Sequence, residues 1–92
     1  MIVKFYATLR QIVGGKAIDV QLPGNATIQQ LLDEILQQHP ALRPELFDEK
    51  GQLYQHVHVM VNGRDVPYLE DALNTVLSVE DVISIFPAVG GG

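Results

Sequence analysis

Apolar and polar positions alternate along Ile2-Val3-Lys4-Phe5-Tyr6-Ala7, the period of a β-strand. Val3, Phe5 and Ala7 fall on one face of that strand, with Lys4 and Tyr6 on the other. Gly14-Gly15 marks a turn. Residues 17–22 read as a second, partly exposed strand that Pro23-Gly24-Asn25 closes. The period then changes. Ile28, Leu31, Leu32, Ile35 and Leu36 recur at i, i+3, i+4, i+7 and i+8, which is an apolar stripe along one helical face. Thr27 with Gln30 fits a capping box at its start, and Pro40 stops the helix just after His39. This stripe reads as core and implies no cofactor box.

Residues 41–52 form a connector with a short helical turn around Leu42, Leu46 and Phe47, a solvated Asp48-Glu49-Lys50 and a break at Gly51. Strict alternation returns in His56-Val57-His58-Val59-Met60-Val61, with three valines facing one way. Asn62-Gly63, a favoured hairpin dipeptide, follows, and Val66 with Tyr68 reads as a short return strand. A connection carrying Leu73, Val76 and Leu77 leads to a final strand, Val82-Ile83-Ser84-Ile85-Phe86. Two hairpin-like pairs thus flank one amphipathic helix, which has to pack on one face of a mixed sheet. The first and last strands are expected to be parallel central neighbours, because the crossover between the halves is long. The pattern predicts an α+β chain of β-grasp, or ubiquitin-like, arrangement, with four or five strands on one main helix. Residues 1–92 make one domain, and residues 87–92 are expected to form a flexible glycine tail.

Composition narrows the chemistry. Six basic against eleven acidic residues give a net charge of −5, which disfavours sequence-independent nucleic-acid binding. Docking on a basic groove of another protein is the easier expectation from that sum. The chain has no cysteine, so disulfides, thiolate zinc sites and thiol nucleophiles are all excluded. Apolar runs are short and interrupted, giving no expected membrane span or signal peptide, and the cytoplasm is the default location. His56 and His58 share a strand face and could hook a metal, yet no third ligand lies nearby, and the expectation is no metal site. Ser78 and Ser84 lack a nucleophile-elbow context. The acidic pairs 33–34, 48–49, 70–71 and 80–81 read as solvated surface rather than acid/base pairs.

The remaining reactive group is the ending, Pro87-Ala88-Val89-Gly90-Gly91-Gly92. Glycine adds nothing to a core and has the most backbone entropy to lose on ordering. It does make a thin thread carrying an unhindered carboxylate, with a reach of roughly 20 Å at about 3.3–3.6 Å per residue. The bland reading is a frayed end or a cloning scar. The functional one needs an activating partner, because a carboxylate resists nucleophiles until its oxygen becomes a leaving group. Attack on the α-phosphate of ATP would give an acyl-adenylate whose carbonyl accepts sulfide or an amine. The nucleotide would then be used by the partner, with no cofactor bound by this chain. Alternation sends Tyr6, Ser84 and Phe86 outward, with Met60 and His58 beside them. Tyr6, Met60 and Phe86 would form an exposed apolar-aromatic grip at the root of the tail, unless the connector after Pro40 folds over them.

With these features in place, the chain resembles the MoaD/ThiS family of ubiquitin-like sulfur carriers over essentially its full length. Phe5-Tyr6-Ala7-Thr8-Leu9-Arg10 looks like the family's opening strand and its following Leu-Arg. Val59-Met60-Val61-Asn62-Gly63 resembles its central strand and turn, and residues 82–92 resemble its last strand and tail. The resemblance implies that Gly92 is the acyl group, adenylated by a ubiquitin-activating-type enzyme and converted to a thiocarboxylate. It makes Gly90 and Gly91 the thread and puts Tyr6 and Phe86 where family members present aromatics to partners; Val89 is counted with the tail, and Met60 and Pro87 with the expected partner-binding residues. The chain would have no active site of its own and would serve as a protein co-substrate. Its sulfur acceptor would be the large subunit of molybdopterin synthase. Ala88, where molybdopterin-type tails usually carry a second proline, and the long connector after Pro40 also look like carriers that serve a cysteine-synthase-type acceptor. Two alternatives from other classes are a protein modifier joined through Gly92 to lysines, and a plain binding module.

Overall fold

The apolar faces of the first and last strands meet side by side at the centre of a five-stranded sheet. The computed structural model describes residues 1–87. The strands are β1 (Ile2–Phe5), β2 (Ala17–Asp19), β3 (Val57–Val61), β4 (Arg64–Asp65) and β5 (Ile83–Pro87), in the order β2-β1-β5-β3-β4. β1 and β5 are parallel, with Val3 opposite Ile83 and Phe5 opposite Ile85. β2 and β3 run antiparallel to those central strands. The expected β-grasp arrangement is therefore present.

Period-two alternation sends Val3, Phe5, Val57, Val59, Val61, Ile83 and Ile85 to one face, where all are buried. The helix α2 (Ile28–Gln38) supplies the opposing layer, and its whole apolar stripe is buried. It starts where the sequence places it: Gln30 N–H donates to Thr27 Oγ1 at 3.2 Å, and Thr27 N–H donates to Gln30 Oε1 at 2.8 Å. His39 caps the other end, and Pro40 opens a 3-10 turn, Pro40–Leu42, that leads into α3 (Arg43–Leu46). Leu42, Leu46 and Phe47 complete the same core. Among the described residues no helix is long and apolar enough to cross a membrane.

Several local expectations are corrected. The first strand ends at Phe5, and Ala7 is exposed with φ at +56°, not on the inner face. The chain turns there into a short helix, α1 (Leu9–Val13), which the turn reading at Gly14-Gly15 had missed. Leu9 drives that turn by burying itself in the core, and Gly14 at φ +80° ends it. β2 stops at Asp19, short of residue 22. The return strand is Arg64–Asp65, whereas Val66–Tyr68 is a 3-10 turn whose Pro67 has no N–H for a ladder. Pro87 belongs to β5, opposite Val57, so the thread starts after it.

The β3–β4 turn is firmly held. Asn62 and Gly63 have φ of +53° and +84°, as a primed two-residue turn requires. Asn62 Nδ2 donates to Asp81 Oδ1 at 2.9 Å, and its Oδ1 accepts Val82 N–H at 2.9 Å. The hairpin is thus tied to the residue that precedes β5.

Two stability measurements follow from this packing. Leu32 is fully buried, so Leu32→Ala is expected to lose about 2–5 kcal/mol in denaturant unfolding. A Cβ at Gly63 would meet nothing within 4 Å, leaving backbone strain as the cost. Gly63→Ala is expected to lose about 1–2 kcal/mol, and an unchanged unfolding midpoint would contradict the turn geometry.

Candidate functional site

The sheet face opposite α2 presents its outer side chains exposed or half-buried. The chain leaves β1 at Tyr6, so that ring sits at the strand's end rather than in its middle. Tyr6 meets Phe86 of β5 edge to face, with ring centroids 6.0 Å apart and planes at 85°. On its other side Phe86 stacks against His58 of β3 at 5.2 Å. His58 Nδ1–H in turn donates to Asp65 Oδ2 of β4 at 2.7 Å. At the opposite end, the Arg10 guanidinium lies 5.0 Å over the Tyr6 ring while its Nε–H donates to Phe5 O at 2.7 Å. A continuous string of contacts therefore crosses from α1 to β4, and each ring is held by a neighbour on another element.

Beside this string lies an open depression of about 420 Å³, lined by Tyr6, Ala7, Met60, Ser84, Phe86 and Pro87. Its walls are mainly apolar and aromatic. Tyr6 keeps 36% of its surface exposed, and Met60, Phe86 and Pro87 are half-buried. All four expected partner-binding residues thus come together. The connector does not cover them: Leu42, Leu46 and Phe47 are buried in the core beneath the sheet's other face. Half-exposed aromatics and a methionine around a shallow depression suit desolvation by a protein surface. Ser84 is the sole hydroxyl besides Tyr6 in that lining, and none of the lining residues is a histidine or carboxylate base for it.

Catalytic alternatives find little support in the described residues. None of their polar or charged side chains is buried, and no group of three or more His, Asp or Glu is placed to hold a metal ion. His56 lies before β3 and stacks on Tyr54 at 5.0 Å, while His58 faces Asp65. The two histidines have separate neighbours rather than a shared site. Val89, Gly90, Gly91 and Gly92 lie outside the described residues. β5 brings the chain to Pro87 in the wall of the depression, so the sequence beyond it leaves from this outer face of the sheet.

Sequence reasoning missed the roles of Arg10 and Asp65. Asp65 was accessible in principle: a two-residue turn at 62–63 pairs Val61 with Arg64 and so places Asp65 opposite Met60. Arg10 carried no such signal, because its position depends on the unexpected turn at Ala7.

Comparison with known proteins agrees with this geometry. The ThiS family model matches residues 3–92. Small archaeal modifier protein 1 of Haloferax volcanii is 34% identical over 89 residues, covering 97% of both chains. A crystal structure of that protein superposes with a TM-score of 0.86 at 33% identity, covering 99% of this chain and 97% of its own. Small archaeal modifier protein 3 of the same organism is 36% identical over 97% of this chain and 95% of that protein. A chain in the Amycolatopsis orientalis BexX/CysO complex superposes with a TM-score of 0.81 at 28% identity, over 99% and 98% of the two chains. With a β-grasp core and a family match that runs through the terminal glycines, the chain belongs to the ThiS family of ubiquitin-like sulfur carriers and small modifiers.

Proposed function

We propose that this protein carries sulfur on its terminal carboxylate. The supporting observation is the placement of Pro87, which lies in the wall of an aromatic docking depression and leads into the glycine thread. A ubiquitin-activating-type enzyme covers Tyr6, Met60 and Phe86 and receives the thread. The Gly92 carboxylate attacks the α-phosphate of ATP there and displaces pyrophosphate. Sulfide delivered by a donor then attacks the acyl carbon, AMP leaves, and a thiocarboxylate remains. Glycine suits both steps because no side chain shields the carbonyl. The charged carrier next docks on a synthase subunit that takes the sulfur, the large subunit of molybdopterin synthase being the first assignment. A cysteine-synthase-type acceptor is the second, favoured by Ala88 and by the likeness to the chain in the BexX/CysO complex.

The modifier reading shares the same activated carbonyl, with a lysine amine in place of sulfide. Identities of 34% and 36% to small archaeal modifier proteins favour keeping it. The two readings separate in cell extracts: thiol-resistant, high-mass conjugates that vanish on deleting Gly91-Gly92 identify a modifier, and a lone free band identifies a carrier.

Intact-mass measurement tests the carrier chemistry directly. After incubation with ATP, a sulfide donor and its adenylating enzyme, the chain is expected to exchange one carboxylate oxygen for sulfur. Failure with every adenylating enzyme of its genome would sink the proposal. Phe86→Asp tests the grip, since it places a charge between Tyr6 and His58. Hot-spot losses are about 2–4 kcal/mol, so partner affinity is expected to fall by roughly thirty- to a thousandfold. Thermal unfolding is expected to move far less, because Phe86 is half-exposed outside the core. Global unfolding with unchanged affinity would place the grip elsewhere.

A further inference from the structure

The strand register sorts charge by face in a way that composition hides. The outer face carries Ile2 and Lys4 on β1, Ala17 and Asp19 on β2, Ser84 and Phe86 on β5, His58 and Met60 on β3, and Asp65 on β4. Of the chain's eleven acidic side chains, only Asp19 and Asp65 occupy these positions. Both are already engaged: Asp19 Oδ1 accepts from the Met1 ammonium at 2.8 Å, and Asp65 Oδ2 accepts from His58 at 2.7 Å. The cations are not matched in this way. Lys4 is exposed directly beside Ser84, which lines the depression, and Arg10 lies over the Tyr6 ring. Lys16 is exposed too, but it continues the ladder opposite Phe5, its carbonyl accepting Phe5 N–H at 2.9 Å, so the register puts it on the helix side and not on this face. Among the described residues neither Lys4 nor Arg10 has a carboxylate within ion-pair distance.

The acids that set the net charge of −5 are placed elsewhere. Asp33 and Glu34 are on α2, and Glu45 is on α3, both beyond the core from the docking face. Asp48, Glu49, Glu70, Asp71, Glu80 and Asp81 lie in connections between elements. The molecule measures 25 Å along its shortest principal axis, whereas the Debye length is about 8 Å at physiological ionic strength. Charges on the far side are therefore screened over more than two such lengths. A partner approaching Tyr6 and Phe86 senses Lys4 and Arg10 far more than it senses the carboxylates of α2 and α3.

We propose that the docking face is locally cationic and that the surface it meets on the adenylating enzyme is an apolar patch rimmed by carboxylates. This rests on the carrier reading and adds the chemistry of the partner's surface. It reverses the expectation drawn from net charge. A basic groove would bring like charges against Lys4 and Arg10 while stripping their water, whereas an acidic rim gains both steering and register.

The sign of a charge-reversal effect decides between them. Association with the adenylating enzyme of the same genome is followed at several ionic strengths for the unaltered chain, for Lys4→Glu, and for Asp33→Lys/Glu45→Lys on the far side. Rising salt is expected to slow association of the unaltered chain. The lysine variant is expected to associate roughly tenfold more slowly near 0.15 M salt, chiefly through the on-rate, while the far-side variant stays within about twofold. A milder Lys4→Gln change is expected to shift the rate in the same direction by a smaller factor. Faster or unchanged association of the lysine variant overturns the inference, as does an equal slowing by the far-side variant. ATP–pyrophosphate exchange by the enzyme with the unaltered chain separates the two levels. Absent exchange removes the carrier reading itself, whereas normal exchange with the wrong charge sign removes only the acidic rim.

Discussion

Parallel pairing of β1 with β5 is the constraint on which the other features rest. Val3 opposite Ile83 and Phe5 opposite Ile85 place the last strand in the middle of the sheet, with β3 on its other side. A parallel pair cannot be joined by a tight turn. Everything between the two strands therefore has to cross from one half of the sheet to the other, and α2 fills the face it crosses. The same pairing aligns Lys4 with Ser84 and carries Phe86 to the level of Tyr6. The aromatic outer face, the core and the point where the tail leaves the sheet are thus consequences of a single register.

Where one physical signal dominated, the sequence was readable. The i, i+3, i+4 stripe of α2, its Thr27–Gln30 box and the valine alternation of β3 each repeat the same instruction several times, and all three appear as expected. Asn62-Gly63 specified its turn because both residues must reach positive φ. Reading failed where a tertiary contact overrode the local pattern. Ala7 continues the alternation of β1 by residue type, yet burial of Leu9 and the Arg10 bond to Phe5 O bend the chain away. Leu9, Ile12 and Val13 do have helical spacing, but a five-residue helix is too short to reveal a period. Val66 and Tyr68 mimic a strand, and Pro67 between them removes the donor that a ladder would need.

The candidate site was legible in its members more than in its assembly. Outward placement of Tyr6, Met60 and Phe86 followed from alternation alone, and the structure gathers them with Pro87 around one depression. What alternation could not supply was the support at either end, Arg10 over Tyr6 and Asp65 beside His58. These contacts matter because an aromatic surface binds best when its rings are already held, leaving less rotamer entropy to lose on docking. Net charge was similarly blind to position: it averages faces that a partner meets one at a time.

The central placement of β5 also has a mechanical side. A pull applied beyond Pro87 runs along the axis of a strand that is hydrogen-bonded on both edges, to β1 in parallel and to β3 in antiparallel register. With the N-terminal strand anchored, such a load shears the two ladders together instead of unzipping one bond after another. The fold therefore resists load along the axis of β5 through shear of both ladders. A load applied there is thus borne by two ladders at once rather than passed bond by bond into the domain.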